Sequence, residues 1–98
     1  MSIKSTNYGI YCYNSSDPTI SYCRIEAGGS GYAGVSLANT GSNPKIYHCT
    51  IIPTGNYSVY ANCGTTSAKI AHCTCKKGFN NITNLIGTPY NVIDDAVE

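Results

Sequence analysis

Five carboxylates, six cysteines, two histidines and nine tyrosines are the side chains of this chain whose types suit them to chemistry. The carboxylates are Asp17, Glu26, Asp94, Asp95 and Glu98. Cleaving a glycosidic bond takes two of them across one bond, one as acid and the other as base or nucleophile. A calcium-assisted elimination takes several oxygen ligands converging on one ion. Asp17 precedes Pro18 in a turn, and the matching places further along hold Asn43 and Ala68, so no row of carboxylates forms. Asp94 and Asp95 are adjacent in the tail, where neighbouring side chains diverge. No catalytic residue is expected.

His48 and His72 each precede a cysteine, Cys49 and Cys73. Imidazole beside thiolate is a zinc-ligand pairing. In an extended strand, however, adjacent side chains point to opposite faces, and no C-x-x-C or third ligand accompanies the pair. "CTC" from Cys73 to Cys75 puts two sulfurs on one face, which is a core arrangement. Neither a metal nor a cofactor is expected.

The tyrosines recur. Tyr8, Tyr32 and Tyr57 each come just before a short extended piece, while Tyr11 and Tyr60 point outward by alternation with Ser36 between them. Tyr47 also points outward. A phenol ring on a surface can stack on a sugar ring, which makes Tyr11, Tyr47 and Tyr60 candidate carbohydrate contacts. Stacked aromatics also stabilise sheets while keeping their hydroxyls wet, so packing alone accounts for the same row.

These groups are positioned by a repeat. "PTISYCRI", "PKIYHCTI" and "SAKIAHCTC" share the pattern I-x-x-C-x-[I/C]. Ile20, Ile46 and Ile70 step by 26 and 24 residues, as do Cys23, Cys49 and Cys73, and Ile25, Ile51 and Cys75. Ile10, Val35 and Val59 form a second register in phase with the first, and Ile82 opens a further, incomplete turn. The pieces "GIYCY", "GVSLA" and "SVYAN" are rich in Tyr and β-branched residues and predict strands; Gly, Ser, Thr, Asn and Pro between them predict turns. No segment sustains a helical period. A unit of this size cannot bury its own apolar face, so it stacks on its neighbour as a solenoid. Inward positions are then Ile10 and Cys12, Val35 and Leu37, and Val59 and Ala61, beside the I-x-x-C-x-I set. Asn14, Asn39 and Asn62 follow at matching places and are expected to satisfy backbone groups at a bend.

On Ile20, Cys23, Ile25, Ile46, Cys49, Ile51, Ile70, Cys73 and Cys75, the chain resembles the right-handed parallel β-helix repeats of the pectate-lyase-like superfamily. In that family an inward aliphatic is followed by an inward Asn or Cys at a bend and then by another inward aliphatic. The resemblance implies an all-β solenoid of about three coils in a single domain over residues 1–98. The coils fall at about 7–31, 32–56 and 57–81, with a C-terminal cap at 82–98. It carries no catalytic residue over, because the lyases and hydrolases of that fold rely on clustered acids. Leucine-rich repeats have similar unit lengths, but this chain has only Leu37 and Leu85 and nothing helical. Open coil ends, or the lateral Tyr face, make a homo-oligomer the expected partner state. "MSIKST" is too short to cover a coil, whereas Leu85, Ile86, Val92 and Ile93 have the apolar character to cover the far end.

Charge and composition narrow the function further. Only 11% of residues are charged and the net charge is +1, so neither a basic stripe for nucleic acid nor an acidic block is present. "MSIKSTNYGI" lacks an apolar signal region, and no run approaches the roughly 18 apolar residues of a membrane span. A cytoplasmic chain that binds neither nucleic acid nor membrane is the expectation. In that compartment the six cysteines are expected as free thiols rather than disulfides. Three of them, Cys23, Cys49 and Cys73, recur at one repeat position and act as small buried hydrophobes. A non-enzymatic structural or interaction module is the function expected, with a carbohydrate-binding solenoid in a polysaccharide-acting assembly as the alternative.

Overall fold

The computed structural model describes residues 1–13, 17–28, 33–38, 44–61, 66–80, 82–85 and 90–98. Their regular structure is all strand, and it repeats in threes. The first coil holds Ser2–Ser5 (β1), Ile10–Tyr13 (β2) and Thr19–Ser21 (β3). The second holds Arg24–Ala27 (β4), Val35–Ala38 (β5) and Lys45–Tyr47 (β6). The third holds Thr50–Pro53 (β7), Val59–Ala61 (β8) and Thr66–Ala71 (β9). Thr74–Cys75 (β10), Phe79–Asn80 (β11) and Ile82–Leu85 (β12) form a fourth, and Val92–Ile93 (β13) begins a fifth.

Each strand pairs in parallel with the strand three places on, giving sheets β1-β4-β7-β10-β13, β2-β5-β8-β11 and β3-β6-β9-β12. Parallel neighbours need a long crossover between them, and here the crossover is the rest of the coil. The result is a parallel β-helix with three faces.

The register places like residues above one another. Ile3, Ile25, Ile51, Cys75 and Ile93 form one column, and Ile20, Ile46 and Ile70 a second. Ile10, Val35, Val59 and Phe79 form a third, with Cys12, Leu37 and Ala61 two places along. Ile25, Val35, Leu37, Ile46, Ile51, Val59, Ala61, Ile70 and Cys75 have no exposed surface. Burying each isoleucine is worth about 1.5–3 kcal/mol. Because side chains alternate, a one-residue slip would turn a whole column outward, so the columns also hold the register.

The ordered stack extends past the three-coil repeat at both ends. The N-terminal stretch is itself strand β1, paired with β4. The segment expected as a cap continues two of the sheets instead, through β12 and β13, with a register shift between Ile82 and Asn84. Val92 and Ile93 lie over Thr74 and Cys75 and are themselves 56% and 52% exposed. The tail beyond them is tied sideways: the Lys76 ammonium donates to the carbonyls of Asp95 and Val97. Asn14, Asn39 and Asn62 lie outside the described residues, as do Tyr32 and Ile86.

Candidate functional site

A backbone bend, repeated on successive coils, builds one surface column. Tyr22, His48 and His72 have positive φ, at 53°, 53° and 56°. The left-handed region costs a non-glycine residue about 1–2 kcal/mol, so the stack must hold these residues there. The bend breaks the simple alternation of a strand, and its outcome is repeated in each coil. The ring goes outward, and the next residue, Cys23, Cys49 or Cys73, turns into the coil.

Outside, the rings make a column along the coil axis. Tyr22 stacks on His48 at 4.9 Å and His48 on His72 at 5.0 Å, each pair within 5° of parallel. Tyr90 adds a fourth ring at 5.7 Å and 27°. Stacking uses up the inner ring faces, so the imidazoles of His48 and His72 present their edges to solvent. Parallel rings keep equivalent nitrogens about as far apart as the centroids. One zinc ion holds two nitrogens at about 2.0–2.1 Å each, no more than roughly 4.2 Å apart. The pair as arranged therefore does not chelate one ion. Among the described residues, no group of three or more His, Cys, Asp and Glu is placed to hold a metal.

Inside, the thiols repeat one set of contacts. Cys49 Sγ donates to the Tyr47 carbonyl at 3.2 Å and reaches Ile20 O of the coil before at 3.6 Å. Cys73 Sγ does the same with Ala71 O at 3.4 Å and Ile46 O at 3.6 Å. Cys23, only half-buried, donates to Ser21 O at 3.2 Å. Hydrogen bonding with Cys73, together with burial, pushes the Cys49 thiol up, while the bond from Cys49 draws Cys73 down. Burial raises Cys12, and pushes Cys75 up to about 11. All five described cysteines are free thiols.

Asn91 closes this column and was not singled out in the sequence. It stands at the next cysteine place, where its side chain accepts from Cys73 N and donates to Ile70 O, both at 2.9 Å. The signal was present: "YNVI" at 90–93 repeats the form of "YCRI", "HCTI" and "HCTC". It comes 18 residues after His72 rather than 24–26, so it falls out of phase with the repeat.

The tyrosine candidates separate. Tyr11 and Tyr60 lie on one sheet, either side of Ser36 in the register. Tyr11 packs with Tyr8 at 5.0 Å and 52°, and Tyr60 with Tyr57 at 5.4 Å and 33°. Tyr11 is 48% exposed, whereas Ser36, though on the outer face, is only 2% exposed. Tyr47 belongs to another sheet, in register with Ser21 and Ala71. The structure thus brings two of the three together.

Three of the carboxylates, Glu26, Asp94 and Asp95, are engaged singly. Glu26 pairs with Arg24 at 3.4 Å and Asp95 with Lys77 at 2.5 Å, which holds the Asp95 carboxyl below its ordinary range. Asp94 accepts from Ala96 N at 2.9 Å. A cleft of about 210 Å³ lies by Lys4, Glu26, Gly28 and Thr54, smaller than the ~300–1,000 Å³ usual for small-molecule sites.

A family model described as a right-handed β-helix region matches residues 2–95. No curated protein and no solved structure gives a significant match.

Proposed function

The chain belongs to the right-handed β-helix family, and on that premise we propose that it is a non-enzymatic structural or interaction module that self-associates. One observation carries this reading. Among the described residues the outer edge of β13 has no strand beside it, and its Val92 and Ile93 are more than half exposed. At the opposite end of the same sheet, β1 is likewise paired on one side only among the described residues. Such edges present unpaired backbone donors and acceptors and act as templates for another strand. Support for a non-enzymatic role comes from the carboxylates, since Glu26 and Asp95 each face a cation rather than a second acid. Light scattering on the 98-residue chain at micromolar concentration is expected to give a mass at least twice the 10.4 kDa of one chain. A strictly monomeric mass would sink the proposal.

A second reading rests on the paired tyrosines. Tyr8–Tyr11 and Tyr57–Tyr60 flank Ser36 about two strand spacings apart, roughly 9.6 Å. In this reading the module binds a glycan on that face as part of a polysaccharide-acting assembly. A glycan array is expected to show weak binding that Tyr11→Ala and Tyr60→Ala each abolish. Binding unaffected by either substitution would exclude this face.

A further inference from the structure

We propose that the cysteine column is a site for a soft monovalent ion, copper(I), held linearly between Cys23 and Cys49. The column is built by translation. Each thiol donates to the carbonyl two residues before it, at 3.2 Å in Cys23, 3.2 Å in Cys49 and 3.4 Å in Cys73. Cys49 and Cys73 both also reach the carbonyl of the isoleucine one coil back, at 3.6 Å. Identical contacts one coil on place successive sulfurs one strand spacing apart, about 4.8 Å.

That spacing selects among thiol chemistries. A disulfide needs sulfurs at about 2.05 Å with a dihedral near 90°, and side chains stacked in parallel do not meet it. A zinc–thiolate bond is about 2.3 Å and a two-coordinate copper(I) bond is no longer than that, so an ion lying between two sulfurs holds them at most roughly 4.6 Å apart. Linear two-coordinate binding therefore fits the column with a shift of a few tenths of an ångström. Tetrahedral binding does not, since the described residues offer no third ligand. Thiolates prefer soft ions, and among these the monovalent d¹⁰ ions favour two ligands in line.

Access singles out one gap. Cys49 and Cys73 are 2% and 1% exposed, whereas Cys23 is only half-buried and is the open end of the column. The ion enters against Cys23 and is completed by Cys49 below it. Two S–H bonds break and two S–Cu bonds form. Both protons pass to solvent, and the site gains a net charge of one negative unit. Copper stays in the +1 state throughout, so no electron is exchanged.

The test is titration of the reduced chain with copper(I) against a chelating competitor. One ion per chain should be retained, with two protons released and two sulfur neighbours in the copper X-ray absorption spectrum. Loss of an outer-shell partner typically weakens a metal site 10–100-fold, so Cys23→Ser and Cys49→Ser should each weaken it at least about 100-fold, with Cys12→Ala within about twofold of the parent. Should Cys49→Ser fail to fold, Cys23→Ser at the half-buried position and the absorption spectrum still decide. Failure to hold copper against the competitor would overturn the proposal, as would full retention in Cys23→Ser or nitrogen neighbours from the histidine column.

Discussion

Gly34→Ala is expected to lower the stability of the chain by about 3 kcal/mol, the upper part of the range for overpacking a filled interior. A methyl at Gly34 would stand 2.9 Å from the Ser58 carbonyl and closer still to Cγ2 of Ile51, a side chain with no exposed surface. The carbonyl is part of the sheet ladder, accepting from Val35 N at 2.9 Å, so it cannot retreat without opening that bond. Gly9 stands in the same relation to Ile25 and the Gly34 carbonyl. Gly78 is the control, since nothing lies within 4 Å of the added methyl. There alanine should leave stability unchanged or raise it by about 0.4–1 kcal/mol, through lost freedom of the unfolded chain. Urea denaturation of the two variants checks this. Equal stability of Gly34→Ala and the parent would mean that the coils pack less closely than described.

The second large effect is at Ile51, and it interacts with the first. Ile51→Ala alone should cost about 2–5 kcal/mol, as buried large-to-small changes do. Combined with Gly34→Ala it should cost less than the two separate losses together. The second substitution removes the atom that the new methyl strikes, and contacting residues couple by about 0.5–3 kcal/mol. The chain already contains the compensated form one coil on. Ser58, fully buried, stands at the place of Gly34, and the residue at the place of Ile51 is Cys75, which bonds with the Ser58 hydroxyl. A smaller neighbour admits a larger bend residue. A double-mutant cycle read by denaturation measures the coupling, and strict additivity would show that the two positions do not touch.

The inward columns were legible because they are written three times at nearly equal steps, and a column buried on successive coils tolerates little but apolar side chains. The strands at either end were not, for two different reasons. β1 carries an isoleucine at the column place but no preceding cysteine, and β13 uses Asn91 after a shortened coil. Gly9 and Gly34 open the strand pieces "GIYCY" and "GVSLA", but their close approach to the next coil was not legible, since glycine in a sequence signals conformational freedom before it signals close approach. Alternation shows that Tyr47 faces outward, but not which of three faces it occupies. That depends on where each coil turns, and turn geometry is set by packing between coils. The left-handed backbone at His48 and His72 has only a weak signal in residue type, since histidine is enriched there but far less than glycine.

The direction of the ladder bonds governs how this molecule bears a load. Backbone bonds such as Arg24 N to Met1 O, Thr50 N to Cys23 O, Thr74 N to Cys49 O and Val92 N to Cys73 O climb from one coil to the next, all at 2.8–2.9 Å. β1 and β13 occupy opposite ends of that sheet. Tension applied between them runs along the bonds rather than across them, so the outermost bonds open before those inside. A coil of 24–26 residues, once peeled away, pays out about 80–90 Å of extended chain. Stretched from its ends, the chain lengthens rung by rung, and each rung still wound keeps its own ring of hydrogen bonds until its turn comes.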